Sequence, residues 1–280
     1  MSATVHETLR AAVDRLAAAG VPEPRADAEV LLAHALGSTR TGLLARAREP
    51  FPPEAGDALR ALLARRAARE PVAHLTGRRE FWSLELEVNA HVLVPRPETE
   101  LLVEVTRGLV PDARRVLDCG TGSGAVAAAL TIELPRARVL ASDRCRAALE
   151  VARRNLARLA PAVELICADW LSALRPGSFD AVVANPPYVP DAVIPTLAPE
   201  VCAHEPRLAL AGGREGLAAL RRLVAEAPDV LRPRGWLVLE MGIGQGGAMV
   251  EAVRRRGAYD ATDVVRDAAG IERVLAARRR

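Results

Sequence analysis

Four consecutive residues, Asn185-Pro186-Pro187-Tyr188, carry the most specific chemistry in this 280-residue chain. A proline at 186 holds Asn185 out of the helical region and in an extended conformation. Two prolines in succession fix φ and remove two N–H groups, leaving carbonyls that only accept. A primary amide or an aromatic amine presents two N–H donors. The Asn185 side-chain oxygen and the Pro186 carbonyl can take one each, which aims the nitrogen's π lone pair. Tyr188 can stack on the flat group behind that nitrogen, a contact worth about 0.5–1.5 kcal/mol. Such a nitrogen is a poor nucleophile, so alignment must supply most of the rate. Effective molarities on the order of 10⁵–10⁸ M show the scale available. Transfer of an activated methyl group fits this arrangement and needs no strong base beforehand.

The partner motif lies upstream. Asp118-Cys119-Gly120-Thr121-Gly122-Ser123-Gly124 follows the apolar run Val116-Leu117 and precedes a helical pattern. Glycines there let the backbone turn tightly and approach a ligand closely. The next strand ends at Asp143, an acid placed to accept both hydroxyls of a ribose. A dinucleotide enzyme shares these two features. No arginine or lysine follows Gly124 to meet a pyrophosphate, whereas an adenosine bearing a sulfonium and an amino acid needs none. Asp169 and Trp170 end a third strand, where they can face and flank an adenine or serve as ordinary strand-end polarity and packing.

The elements that must position these motifs are legible as patterns. Apolar residues at helical spacing run through Val5, Leu9, Val13 and Leu16, then through Arg25–Leu36, then after Pro52-Pro53. Alternation from Glu80 to Val94, with a turn at Asn89–His91, predicts a hairpin. Strands are expected at Arg115–Cys119, Arg138–Ser142, Val163–Cys167, Ala181–Ala184 and Trp236–Met241, with helical patterns between them. Two more are expected at Tyr259–Val265 and Ile271–Ala276. That alternation predicts an α/β fold with a parallel, doubly wound sheet. The expected organisation is a helical docking domain over 1–73, a hairpin linker over 74–98 and a catalytic domain over 99–280.

Composition narrows the chemistry. All 38 basic residues are arginine, which excludes Schiff-base catalysis on a lysine of this chain. The net charge of +3 is weak support for a nucleic-acid partner. The four cysteines form no C-x-x-C pair, which argues against zinc and redox motifs. No apolar run reaches membrane-spanning length, and Met1–Arg10 has no apolar export core, so a cytoplasmic protein is expected.

Taken together, these segments resemble the protein-(glutamine-N5) methyltransferases that modify peptide chain release factors. The likeness includes Ala19–Leu32, Pro71–Gly77, Val94–Glu100, Glu205–Leu210, Glu240-Met241-Gly242 with Gln245, and Asp267–Arg273. The resemblance implies a class I, Rossmann-like methyltransferase sheet with a small N-terminal helical domain. It implies that Gly120, Thr121, Gly122, Ser123, Gly124, Asp143, Trp170 and Asn185 hold S-adenosyl-L-methionine, which leaves as S-adenosyl-L-homocysteine. It implies that Asn185, Pro186, Pro187 and Tyr188 receive the substrate, with Asn185, Pro186 and Tyr188 carrying the chemistry. The implied target is the glutamine of the Gly-Gly-Gln loop in bacterial class 1 release factors. His74 and Arg144 depart from the family pattern. Arg96 and Thr99 are candidates to line the site, with helix capping the alternative for Thr99. Three other readings remain at this point: a glutamine methyltransferase of a ribosomal protein, an amino-methyltransferase of adenine or cytosine, and a binding module without catalysis.

Overall fold

The computed structural model describes residues 3–280, which divide into two compact units. The first takes the chain up to Arg78 together with Ala198–His204; the second takes Arg79–Leu197 and Glu205–Arg280.

The first unit is helical: α1 (Val5–Ala18), α2 (Pro24–Ala35), α3 (Arg40–Ala45), α4 (Gly56–Ala67) and α5 (Val72–Thr76). α1 starts on a capping box, in which Thr4 accepts from the Glu7 N–H and the Glu7 carboxylate accepts from the Thr4 N–H. The apolar stripes converge on one core that includes Leu16, Leu31, Leu32, Leu59 and Leu63. The expected domain boundary at 73/74 falls inside α5. The later segment 198–204 contributes a short helix, α9 (Pro199–Cys202), whose Glu200 is clasped by two arginines. Arg66 Nη2 donates to Glu200 at 2.9 Å, while Arg69 donates from Nε and Nη2 at 2.7 and 2.8 Å. Arg66 is buried and also donates to Asp27 at 2.7 Å.

The chain passes between units within a two-stranded hairpin, β1 (Arg78–Phe81) and β2 (Leu84–Glu87). Its turn is Trp82-Ser83, not the expected Asn89–His91. Both turn residues have positive φ, 53° and 57°, which suits a tight hairpin turn although neither is glycine.

The second unit continues with α6 (Glu100–Leu109), β3 (Arg115–Cys119), α7 (Ala125–Glu133), β4 (Arg138–Asp143), α8 (Arg146–Leu159), β5 (Glu164–Cys167) and β6 (Phe179–Ala184). It then adds α10 (Arg207–Leu210), α11 (Ala218–Val230), β7 (Leu231–Glu240), α12 (Gly246–Arg256), β8 (Tyr259–Arg266) and β9 (Glu272–Arg279). Sheet order is β5-β4-β3-β6-β7-β9-β8, with β3 to β7 parallel and β9 antiparallel to both its neighbours. The α/β, Rossmann-like expectation holds. One detail does not: turns alone, without a helix, join β5 to β6. Successive residues of each central strand enter opposite cores, Val116 and Val183 on one face, Leu117 and Val182 on the other. Strand order reverses at β3, so a crevice opens outside the carboxyl ends of β3, β4 and β6.

The arginine clasp should make the helical unit sensitive to acid. Burial opposes ionisation of Glu200, but the hydrogen bonds from Arg69 and Arg66 outweigh it and hold its pKa at about 2 instead of 4.5. A depressed pKa stabilises the folded state above 4.5, and that stability is lost as pH falls toward 2. Glu200→Gln is therefore expected to destabilise the protein by about 1–3 kcal/mol at pH 7 and by much less near pH 3. Thermal melts of both proteins across pH check this; a constant difference would contradict it.

Candidate active site

The glycine loop between β3 and α7 is built around one buried carboxylate. Asp118 Oδ2 accepts from the Thr121 hydroxyl at 2.6 Å and from the Ala127 N–H at 3.0 Å, tying the loop to the first turn of α7. Gly120 and Thr121 both donate their N–H groups to the Ser142 carbonyl at 2.8 Å, which binds the loop to the end of β4. Gly120 and Gly122 have φ of +78° and +55°, a region that side chains disfavour. Gly124, at +83°, serves a separate purpose. A Cβ there would lie 3.1 Å from Leu156 Cγ on α8, so its smallness admits close helix packing. Gly124 does not itself line the cavity.

Asp143, at the end of β4, is oriented by backbone donors. Its Oδ2 accepts from Gly122 N–H at 3.0 Å and its Oδ1 from Cys145 N–H at 2.8 Å. Each carboxylate oxygen keeps further acceptor capacity toward the cavity that Asp143 lines. Trp170, at φ +51° in the turn after β5, closes over Gly120 and lines the same cavity. Asp169 points elsewhere, pairing with Arg222 at 2.8 Å, and is not a lining residue. Three arginines, Arg96, Arg144 and Arg222, line the cavity from outside the glycine loop. Arg222 is committed to Asp169 and Glu226.

Asn185 reaches the cavity from the end of β6. Its Nδ2 donates to the Thr99 hydroxyl at 3.0 Å, and its Oδ1 accepts from no described residue. Thr99 makes no side-chain cap to α6, so the capping alternative gives way to this contact. Pro187 lines the cavity, whereas Pro186 is buried beneath the turn. Tyr188 also lies outside the lining. Its ring packs against the β7 side of the core, and its hydroxyl donates to Glu240 at 3.2 Å. Burial and the neighbouring carboxylate push the Tyr188 pKa well up, so the phenol stays protonated. Gln245 braces the turn from behind, donating to the Tyr188 carbonyl at 3.0 Å and accepting from Gly242 N–H at 2.8 Å. A Cβ on Gly216 would fall 2.2 Å from that carbonyl.

The resulting cavity measures about 430 Å³, within the range for small-molecule and cofactor sites. Gly120, Thr121, Gly122, Ser123, Asp143, Trp170, Asn185 and Pro187 line it together. Arg96, another lining residue, is gripped through Nη2 by Glu205 at 2.8 and 2.7 Å. Burial raises the Glu205 pKa, and Arg96 opposes that rise. Sequence spacing assigned no role to Glu205 or Glu240, because their partners lie far away along the chain. No cluster of His, Cys, Asp and Glu among the described residues could hold a metal ion.

Known proteins resemble this chain along its whole length. Residues 7–77 match the family described as PrmC N-terminal domain, and residues 97–213 match the methyltransferase small domain. A release factor glutamine methyltransferase of Moorella thermoacetica is 47% identical over 281 residues, covering 99% of each chain. That of Caulobacter vibrioides is 43% identical, covering 98% of this chain and 96% of its own. Among solved structures, a methyltransferase from Pyrococcus furiosus superposes with a TM-score of 0.52 at 21% identity. It covers 78% of this chain and 96% of its own. The catalytic domain of human Mettl16 gives 0.58 at 16% identity, with coverage of 77% and 80%. At these identities the structural likeness establishes the sheet architecture alone.

Burial pushes the Asp118 pKa from 3.8 up to about 7, against the hydrogen bonds from Thr121 and Ala127. A raised carboxyl pKa means that the folded state retains a proton. Stability from this group is therefore greatest below pH 3.8 and is lost as pH rises to about 7. Asp118→Asn keeps an oxygen for both donors, and is expected to raise stability at pH 8 by on the order of 2 kcal/mol. It should also flatten the dependence between pH 4 and 7, read by denaturant unfolding. Identical pH slopes for variant and wild type would refute this account.

Proposed function

The chain belongs to the release factor glutamine methyltransferase family, and from that premise we propose its reaction in detail. It transfers the methyl group of S-adenosyl-L-methionine to the side-chain amide nitrogen of the glutamine in the Gly-Gly-Gln loop of a class 1 release factor. The observation that carries this reading is the committed amide of Asn185. Its NH₂ donates one N–H to Thr99, and its acceptor oxygen, which accepts from no described residue, is left for a substrate NH₂.

The donor set fits the cofactor. Asp143 offers acceptor oxygens for ribose hydroxyls, Gly120 to Ser123 offer a backbone that a ligand can approach closely, and Trp170 offers an aromatic flank. When bound, the cofactor supplies an electrophilic methyl carbon on a sulfonium. The chain's own residues then have one task, which is to hold the substrate nitrogen in line. Asn185 Oδ1 and the Pro186 carbonyl, neither of which accepts from a described residue, take one N–H each. Methylation would exchange the cofactor's S–CH₃ bond for the N–CH₃ bond, with the neutral thioether leaving; the nitrogen would gain positive charge and N–H acidity, and its proton would go afterwards to solvent. Tyr188 supports the turn through Glu240 and Gln245 instead of offering a free stacking face in this state. No helix among the described residues is long and apolar enough to cross a membrane, which suits work alongside cytoplasmic translation factors. The helical unit is read as the docking surface for the protein substrate. Surface substitutions there should raise KM for the release factor and spare cofactor affinity; parallel loss of both would count against docking.

Mass spectrometry after incubation with a purified release factor and the cofactor should find about 14 Da, one methylene, added at the loop glutamine. Label on ribosomes or DNA instead would overturn the assignment. Asn185→Ala is expected to lower kcat by about 10²–10³, the usual effect of losing one preorganised contact. Asp143→Ala should weaken cofactor binding by roughly 10- to 100-fold, with 1.5–3 kcal/mol per charge-assisted bond lost. Calorimetry with S-adenosyl-L-homocysteine measures the second effect. Unchanged affinity would move the ribose away from Asp143.

A further inference from the structure

Arg96 lines the cavity but has no part in the methyl transfer as described so far. It is held by a carboxylate that water scarcely reaches. The Glu205 side chain is 1% exposed, and burying such a group is unfavourable unless it is paired. Both of its oxygens accept from one nitrogen, Arg96 Nη2, at 2.8 and 2.7 Å. A guanidinium carries five N–H donors on three nitrogens and accepts nothing. One nitrogen therefore serves Glu205, while Nε and Nη1 donate to no described residue. The Arg96 side chain is 34% exposed, so the open member of the pair is the cation. A guanidinium fixed at one corner, with donors left over beside a cavity, suits a second anionic oxygen.

Position selects which anion. Asp143 ends β4 and Asn185 follows β6, with β3 and its glycine loop between them. A cofactor with its ribose at Asp143 and its reacting carbon at Asn185 therefore lies across β3. Its amino-acid arm is left for the β6 side of the cavity. Thr99 accepts from Asn185 Nδ2 at 3.0 Å, and its own N–H donates to the Arg96 carbonyl at 3.1 Å. Those two bonds bring Arg96 to the reacting end. The other lining arginines belong to the β4 and β5 side, since Arg144 follows Asp143 and Arg222 is bonded to Asp169. We infer that Arg96 binds the α-carboxylate of the cofactor's amino-acid arm through the donors that Glu205 leaves free. Glu205 fixes the guanidinium from behind. The inference rests on the methyl-transfer reading and deepens it, because it assigns the end of the cofactor that Asp143 and Trp170 do not.

Calorimetry with two ligands isolates the carboxylate. One is S-adenosyl-L-homocysteine; the other is its decarboxylated analogue, which keeps the adenosine, the sulfur and the amine. The wild type is expected to bind the first about 10- to 100-fold more tightly, the scale of one charge-assisted hydrogen bond. In Arg96→Met that preference should fall to within about threefold, with affinity for the analogue held within the same margin. Arg96→Met leaves Glu205 buried without its partner, which can cost stability. The double variant Arg96→Met with Glu205→Gln removes both charges, and the same loss of preference is expected of it. A double variant that keeps the wild-type preference would overturn the inference, as would one that loses both ligands equally. Wild-type affinity for both ligands with a raised KM for the release factor would move Arg96 to the protein substrate instead. Asp143→Ala serves as the control and should weaken both ligands alike. A wild type that binds the two ligands equally would strike the role of Arg96 alone. One that binds neither would strike the cofactor reading, and this inference with it.

Discussion

On the proposed reading, the site depends on the orientation of one primary amide. Asn185 has a donor end and an acceptor end of nearly equal size, and only one arrangement is useful to a substrate NH₂. The β6 backbone delivers the residue to the carboxyl edge of the sheet, and the following prolines hold it extended. Neither device distinguishes oxygen from nitrogen. The distinction comes from Thr99, at the start of α6, which takes Nδ2 at 3.0 Å. The strand thus places the clamp, and a residue from another element gives it polarity.

The cofactor side solves a different problem, that of backbone approach. Gly120 and Gly122 supply left-handed turns, and Gly124 supplies room for Leu156 of α8. One run of glycines therefore carries two unrelated physical demands, loop shape and helix packing. Asp118 locks the loop from beneath through Thr121 and Ala127, at the expense of a buried carboxyl whose pKa is pushed up to about 7. Asp143 is locked from beside through Gly122 and Cys145 and keeps its further lone pairs for a ligand. The two acids have the same chemistry, but burial makes one a brace and leaves the other available as a contact.

Legibility in the sequence followed locality. The glycine loop, Asp143, Trp170 and the Asn185–Tyr188 turn were readable because each is contiguous and ends a strand, and parallel α/β sheets collect strand ends at one edge. Six of the seven strands were readable to within three residues at each end, while β7 begins five residues before its expected start. Features that tertiary packing creates were not readable. Glu240 is brought to Tyr188 by the sheet, and the bond from Asn185 to Thr99 is made at the start of α6; Thr99 was a candidate to line the site, but nothing near either residue in the chain signals its partner. The hairpin turn at Trp82-Ser83 escaped because neither residue is glycine, so positive φ had no local marker. The same holds for Trp170 at φ +51°, which packing fixes despite intrinsic preference. Glu200 belongs to the helical unit through Arg66 and Arg69, contacts more than a hundred residues apart in sequence.

Two buried acids near the ends of central strands, Asp118 and Glu240, share a thermodynamic position. Burial penalises the charged form of each, so both make the fold less stable than a neutral side chain would. Both are nonetheless wired to the site, Asp118 through Thr121, which lines the cavity, and Glu240 through Tyr188 of the turn after β6. A polar group kept in a core against its own solvation is best explained by what it orients. An apolar isostere would leave the Thr121 and Tyr188 hydroxyls without these partners, and would loosen the loop and the turn they hold. The destabilised positions of this fold and the determinants of its site geometry are, at these two places, the same residues.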